Sequence, residues 1–142
     1  MRKNSRGFSL LELLIVVAII LIIATIAIPS LLRSRQAANE SAAVASLRTV
    51  NTSEITYLSS SGGRYGDIPG LVSDGLLGSH FDNNNPVSGY IFTIDLAADG
   101  SNYTAWAVPQ SSNNGRFEYY TGPDGVVRYS SGPGVNPGDP VQ

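Results

Sequence analysis

Cysteine is absent from this 142-residue chain, histidine occurs once, at His80, and lysine once, at Lys3. With no thiol and a single imidazole, a Cys- or His-based zinc site, a thiol nucleophile and a serine triad of the usual sort all lack parts. A lone histidine in a turn-rich stretch reads as solvated surface. No disulfide braces the fold, so stability must come from packing, from assembly or from an ion. Charge is sparse too: 14% of residues are charged and the net charge is −2. Three of the nine basic residues, Arg2, Lys3 and Arg6, fall in the first six positions, and beyond Gly7 six Arg stand against eleven acidic residues, a net of −5. A basic face for nucleic acid is therefore not expected. No repeat of solenoid length is present.

What the chain has in excess is apolar sequence near its start. Residues 13–32 are twenty in succession without a charge. As a helix they are about 30 Å long, enough to cross the hydrocarbon core of a bilayer. A secretory signal has a shorter apolar region, about 7–15 residues, ending at a small-x-small site. The best such site here, Thr25-Ile26-Ala27, runs on into Ile28-Pro29. The basic residues before the run predict a cytoplasmic N-terminus, with the remainder exported. Glu12 is the anomaly, because a carboxylate among apolar residues costs about 2.5–3.5 kcal/mol in a membrane unless a cation meets it. Pro29 has no N–H to give the Thr25 carbonyl, so the helix should kink or loosen there.

Gly7-Phe8-Ser9-Leu10-Leu11-Glu12, after a short basic leader and before an apolar helix, resembles the processing site of type IV pilins and of the pseudopilins of type II secretion. The resemblance implies a leader of residues 1–7, cleavage between Gly7 and Phe8 by a prepilin peptidase, and N-methylation of Phe8 by the same enzyme. It gives Glu12 a role in assembly, its carboxylate attracting the N-terminal amine of a neighbouring subunit. A charge pair of that kind sets register, as a polar residue does inside a coiled coil. A plain membrane anchor gives no reason for Glu12, or for glycine where charge gives way to apolar sequence.

The helix is expected to continue. Residues 33–60 contain neither Gly nor Pro, and Val44, Leu47, Val50, Ile55 and Leu58 recur near the helical period, with Glu40, Arg48 and Glu54 assigned to the outer face. Arg33 and Arg35 suit interfacial anchors or polar contacts between packed subunits. Ser59-Ser60-Ser61-Gly62-Gly63 ends the helix. Residues 64–85 are rich in turns, with Ile68, Leu71, Val72, Leu76 and Leu77 able to tuck a short helical turn under the core. Strands are expected at residues 90–96, 103–108, 116–120 and 126–129, with Asp99-Gly100 and Gly122-Pro123-Asp124-Gly125 as hairpin turns. The tail, residues 130–142, is rich in Gly, Pro and Ser and is expected to be irregular. The predicted class is α+β: a leader (1–7), a transmembrane or filament-core helix (8–32), its amphipathic continuation (33–60) and a head (61–142) holding an antiparallel sheet of about four strands.

Other motifs are weaker. Asp82-Asn83-Asn84-Asn85-Pro86 offers oxygen ligands but departs from the calcium-loop template at Pro86, Val87 and Thr93, so a solvent-exposed turn is favoured. Asn39-Glu40-Ser41, Asn51-Thr52-Ser53 and Asn102-Tyr103-Thr104 match glycosylation sequons of low specificity. Seven Tyr, four Phe and one Trp mostly alternate along the expected strands, where such residues fill a core. No catalytic, metal or cofactor site is expected. The functional reading is a structural pilin, in the inner membrane as precursor and then in a surface pilus. Its partners would be copies of itself, the prepilin peptidase/N-methyltransferase, the inner-membrane assembly machinery and, before assembly, lipid. The alternatives are a pseudopilin or minor pilin, and a membrane-anchored exported binding domain that never polymerises.

Overall fold

The structure, a computed structural model, describes residues 7–82 and 85–130. Residues 1–6, Asn83, Asn84 and residues 131–142 lie outside the described residues, and with them most of the expected leader, part of the expected turn after Asp82 and most of the expected tail. In chain order the elements are α1 (Leu10–Ser60), α2 (Ile68–Ser73), a single 3-10 turn (Ser79–Phe81), β1 (Tyr90–Leu96), β2 (Tyr103–Pro109), β3 (Glu118–Thr121) and β4 (Arg128–Ser130). The chain divides into two units, Met1–Ser34 and Arg35–Gln142.

In the second unit α1 is held by packing rather than by propensity alone. Its Ser and Thr hydroxyls turn inward on the helix: Ser41, Thr49, Thr52, Thr56 and Ser59 each donate to the carbonyl four residues back, at 2.9–3.2 Å. The helix ends where two glycines take left-handed backbone, Gly62 at φ 76° and Gly63 at φ 87°, and the Gly63 N–H closes onto the Leu58 carbonyl at 3.1 Å. Asp67 then caps α2, accepting from the Gly70 N–H at 2.9 Å.

The sheet is antiparallel, in the order β1-β2-β3-β4. Alternation along β2 turns Tyr103, Ala105 and Ala107 inward, with Tyr90 and Phe92 of β1 and Tyr119 and Thr121 of β3 on the same buried face. Alanine at two successive inward positions of β2 leaves room for the helix, whose Ala43, Val44, Leu47 and Val50 join the same core. Burying Leu47, which is 0% exposed, stabilises the fold by about 1.5–3 kcal/mol. Ile68, Leu71, Leu77 and Phe81 close the core from the segment between α1 and β1, with Val72 and Leu76 packed against it.

The α+β expectation holds, with three corrections. Ile55 is 57% exposed rather than in the core, while Glu40 and Glu54, assigned to the outer face, are buried; of that trio only Arg48 is exposed. Secondly, β3 starts at Glu118 rather than residue 116, because the Arg116 N–H is donated to Glu40 and the Phe117 carbonyl accepts from the Tyr90 hydroxyl. Thirdly, β4 starts at Arg128 rather than residue 126, because the Val126 N–H closes an Asx turn onto Asp124 at 3.1 Å.

Candidate functional site

The first unit holds the residues that the motif singles out. Gly7 has nothing within 4 Å of the position a Cβ would occupy, so the fold makes no demand for glycine there. Phe8 is 74% exposed. The first helical turn closes with the Leu13 N–H on the Ser9 carbonyl at 3.2 Å, and Glu12 lies in that turn, exposed. Its negative charge is favourable beside the unpaired N–H groups of a helix start. No side chain among the described residues pairs with it.

Between Leu10 and Leu32 every helical side chain is exposed except Ala24, which is half-buried. A helix apolar all round is suited to a membrane or to the interior of an assembly. Each Leu, Ile or Val left in water forgoes about 1.5–3 kcal/mol, so this surface requires lipid or protein cover. Of the two hydroxyls within the run, those of Thr25 and Ser30, that of Thr25 satisfies itself by donating to the Ile22 carbonyl at 2.7 Å. Pro29 lies inside α1, which is helical on both sides of it.

In the second unit, three side chains on one turn and a half of α1 hold the loop between β2 and β3. Gln36 Nε2 donates to the Ser112 carbonyl at 2.7 Å, Asn39 Nδ2 to the Asn114 carbonyl at 3.0 Å, and Glu40 receives the Arg116 backbone N–H at 2.9 Å. The hydrogen bond from the Arg116 guanidinium holds the Glu40 carboxyl below its ordinary range, against the opposing effect of burial. Glu54, nearer the helix end, has the opposite environment. Burial pushes its carboxyl up to about 7, the Gly66 N–H offsetting part of that effect and Asp67 adding to it.

The prokaryotic N-terminal methylation motif matches residues 2–28 of the chain. Over 45 residues the chain is 51% identical to the type IV wide pilus major component PilA4 of Thermus thermophilus, a stretch covering 32% of this chain and 34% of that protein. In its N-terminal segment, this chain is similar to type IV pilins. The chain thus matches about a third of the length of its pilin relative. No solved structure matches it.

The residues that sequence reasoning misplaced are Glu40 and Glu54. The signal was present: 40, 44, 47, 51 and 54 follow the helical period, so both carboxylates share a stripe with Val44, Leu47 and Asn51. Sorting by charge set them aside, and only their partners in distant sequence explain their burial. Of the sequon asparagines, Asn51 is buried and Asn39 is half-buried, while Asn102 is exposed beside the β1–β2 turn. His80 is exposed, its ring 4.5 Å from that of Phe81.

Proposed function

We propose that this chain is a structural subunit of a type IV pilus-like surface filament, processed after Gly7, N-methylated at Phe8 and polymerised through its apolar helix. The observation that carries the reading is the pairing of an apolar helical surface, uncovered on all sides from Leu10 to Leu32, with a single carboxylate, Glu12, that lacks a partner among the described residues. Lipid answers the apolar surface before assembly, and neighbouring subunits answer it afterwards. The methylated amine of an adjacent, axially staggered copy answers Glu12, and the charge pair then sets register. A prepilin peptidase/N-methyltransferase supplies that amine, and an inner-membrane assembly machine moves the subunit from membrane to fibre. The motif match over residues 2–28 and the likeness to a wide pilus component support this reading.

The deciding experiment is the mass of the N-terminal peptide, taken from a sheared surface fraction of cells making the protein. N-methylated Phe8 is the expected result. An N-terminus at Met1 points instead to a non-polymerising anchored domain. A processed chain confined to the cell envelope points to a pseudopilin.

A further inference from the structure

Glu54 is 0% exposed. One carboxyl oxygen, Oε2, accepts the Gly66 N–H at 2.9 Å, and the other, Oε1, is buried with no hydrogen-bond partner. Gly66 lies in the connector between α1 and α2, so this bond ties the connector to the helix. The connector is close-fitting at that point, since a Cβ on Gly66 would come within 3.0 Å of the Tyr57 ring. On the sheet side it is held by the Tyr65 N–H on the Gly100 carbonyl at 3.0 Å.

We propose that Glu54 is a proton-operated latch: neutral, it keeps residues 61–67 seated on α1, and ionised, it loosens them.

Asp67 on the connector interacts unfavourably with a negative charge here, and the Tyr103 hydroxyl on β2 is given to Asn51 and the Gly122 carbonyl rather than to Glu54. Tyr65 lies against Tyr103, with centroids 4.7 Å apart and the rings tilted by 54°, and Tyr57 covers Gly66 from α1. Asp124, between β3 and β4, adds a further anion on the Tyr103 side. The ion pairs of the described residues are Arg116 with Glu40 and Arg128 with Asp124, and neither reaches Glu54. Arg64, the connector's own cation, lies along Gly100 and senses Asp99 instead. A carboxylate buried among phenols and other carboxylates, with one oxygen unbonded, is costly. The carboxylic acid costs less, and so does a connector lifted far enough to admit water. Neutralisation and closure therefore favour each other, as do ionisation and opening.

Raised from 4.5 to about 7 in the folded chain, Glu54 stabilises the closed connector fully below 4.5, and that stability is lost as pH rises through 7. The test is hydrogen exchange of the connector amides in the full chain, held in detergent micelles, for wild type and Glu54→Gln. After correction for the intrinsic pH dependence of exchange, wild-type protection at residues 61–67 should fall about tenfold between about pH 6 and about pH 8. In Glu54→Gln it should stay level. A level wild-type profile, or an equal fall in both proteins, overturns the latch. If Glu54→Gln does not fold, the wild type decides alone. A carboxylic-acid infrared band that vanishes over the same interval, in step with connector exchange, supports the latch; a band that does not titrate, or titrates out of step, overturns it. None of these readouts depends on whether the chain polymerises.

Discussion

Arg116 grips Glu40 with two guanidinium nitrogens and its own backbone: Nε lies 3.1 Å from Oε1, Nη2 lies 3.0 Å from Oε2, and the backbone N–H reaches Oε1 at 2.9 Å. The two residues are 76 apart in sequence. The pair therefore fixes the path of the loop entering β3 against the helix, and it does so through a fork geometry that lysine does not offer.

Glu40→Ala should destabilise the head by about 1–3 kcal/mol, because the Arg116 N–H loses its acceptor along with the charge-assisted bonds. Glu40 has a lowered pKa in the folded chain. Its contribution is thus present above the ordinary carboxyl value of 4.5 and is lost as pH falls below it. Denaturant unfolding of wild type and variant at neutral and acid pH checks both points: the gap between them should close in acid. Glu54 has the opposite sign, so the head should be most stable between the two transitions.

Asn51 joins helix to sheet inside the core. Its Nδ2 donates to Thr121 Oγ1 at 2.8 Å, and its Oδ1 accepts from the Tyr103 hydroxyl. Asn51→Leu matches the apolar stripe but strips both partners, and should cost about 1–3 kcal/mol in thermal or denaturant unfolding. An unchanged stability would mean that Tyr103 is satisfied by its longer bond to the Gly122 carbonyl, at 3.3 Å.

Gly115 lies directly under the Tyr90 hydroxyl. A Cβ there would stand 1.9 Å from that oxygen and 2.5 Å from Cζ. Tyr90 is 0% exposed and donates to the Phe117 carbonyl at 3.0 Å, so its ring has little freedom to retreat. Gly115→Ala should lower stability by about 1–3 kcal/mol, and more if the loop is displaced. Tyr90→Phe in the same background should recover part of the loss.

Glu12→Ala should leave cleavage and export intact while reducing filament yield in the sheared fraction. Wild-type piliation of that variant would remove Glu12 from the assembly role.

Gly7→Val should block processing, since a branched side chain obstructs access to the scissile backbone. The fold itself tolerates a side chain at this position, where nothing lies within 4 Å. An unprocessed chain from this variant thus reports on the peptidase rather than on folding, and a mature-sized product would move the cleavage site elsewhere.

The apolar run, the place of Glu12 within it, the helix stop at Gly62-Gly63 and the turn at Asp99-Gly100 were all legible in sequence. Each is local: a run of side chains, a left-handed backbone position, or a turn whose Asp99 bonds Ser101 two residues on. Strand starts were less legible because they are set by competition for single backbone donors. Arg116 gives its N–H to Glu40, and Val126 gives its own to Asp124, before either can join a ladder.

Sequence by itself determined that the chain has a helix to be covered by lipid or by protein, because hydrophobicity sums along a local segment whatever the rest of the chain does. It also determined the alternation that makes β1 and β2 a hairpin, since both strands and their turn are neighbours in the chain. Only tertiary structure decided what Glu40 and Glu54 are. On the same stripe of the same helix, one is kept ionised by Arg116 and the other is driven toward neutrality by burial. A carboxyl's charge state is set by the dielectric and the partners that folding brings to it, and neither is written beside it in the chain.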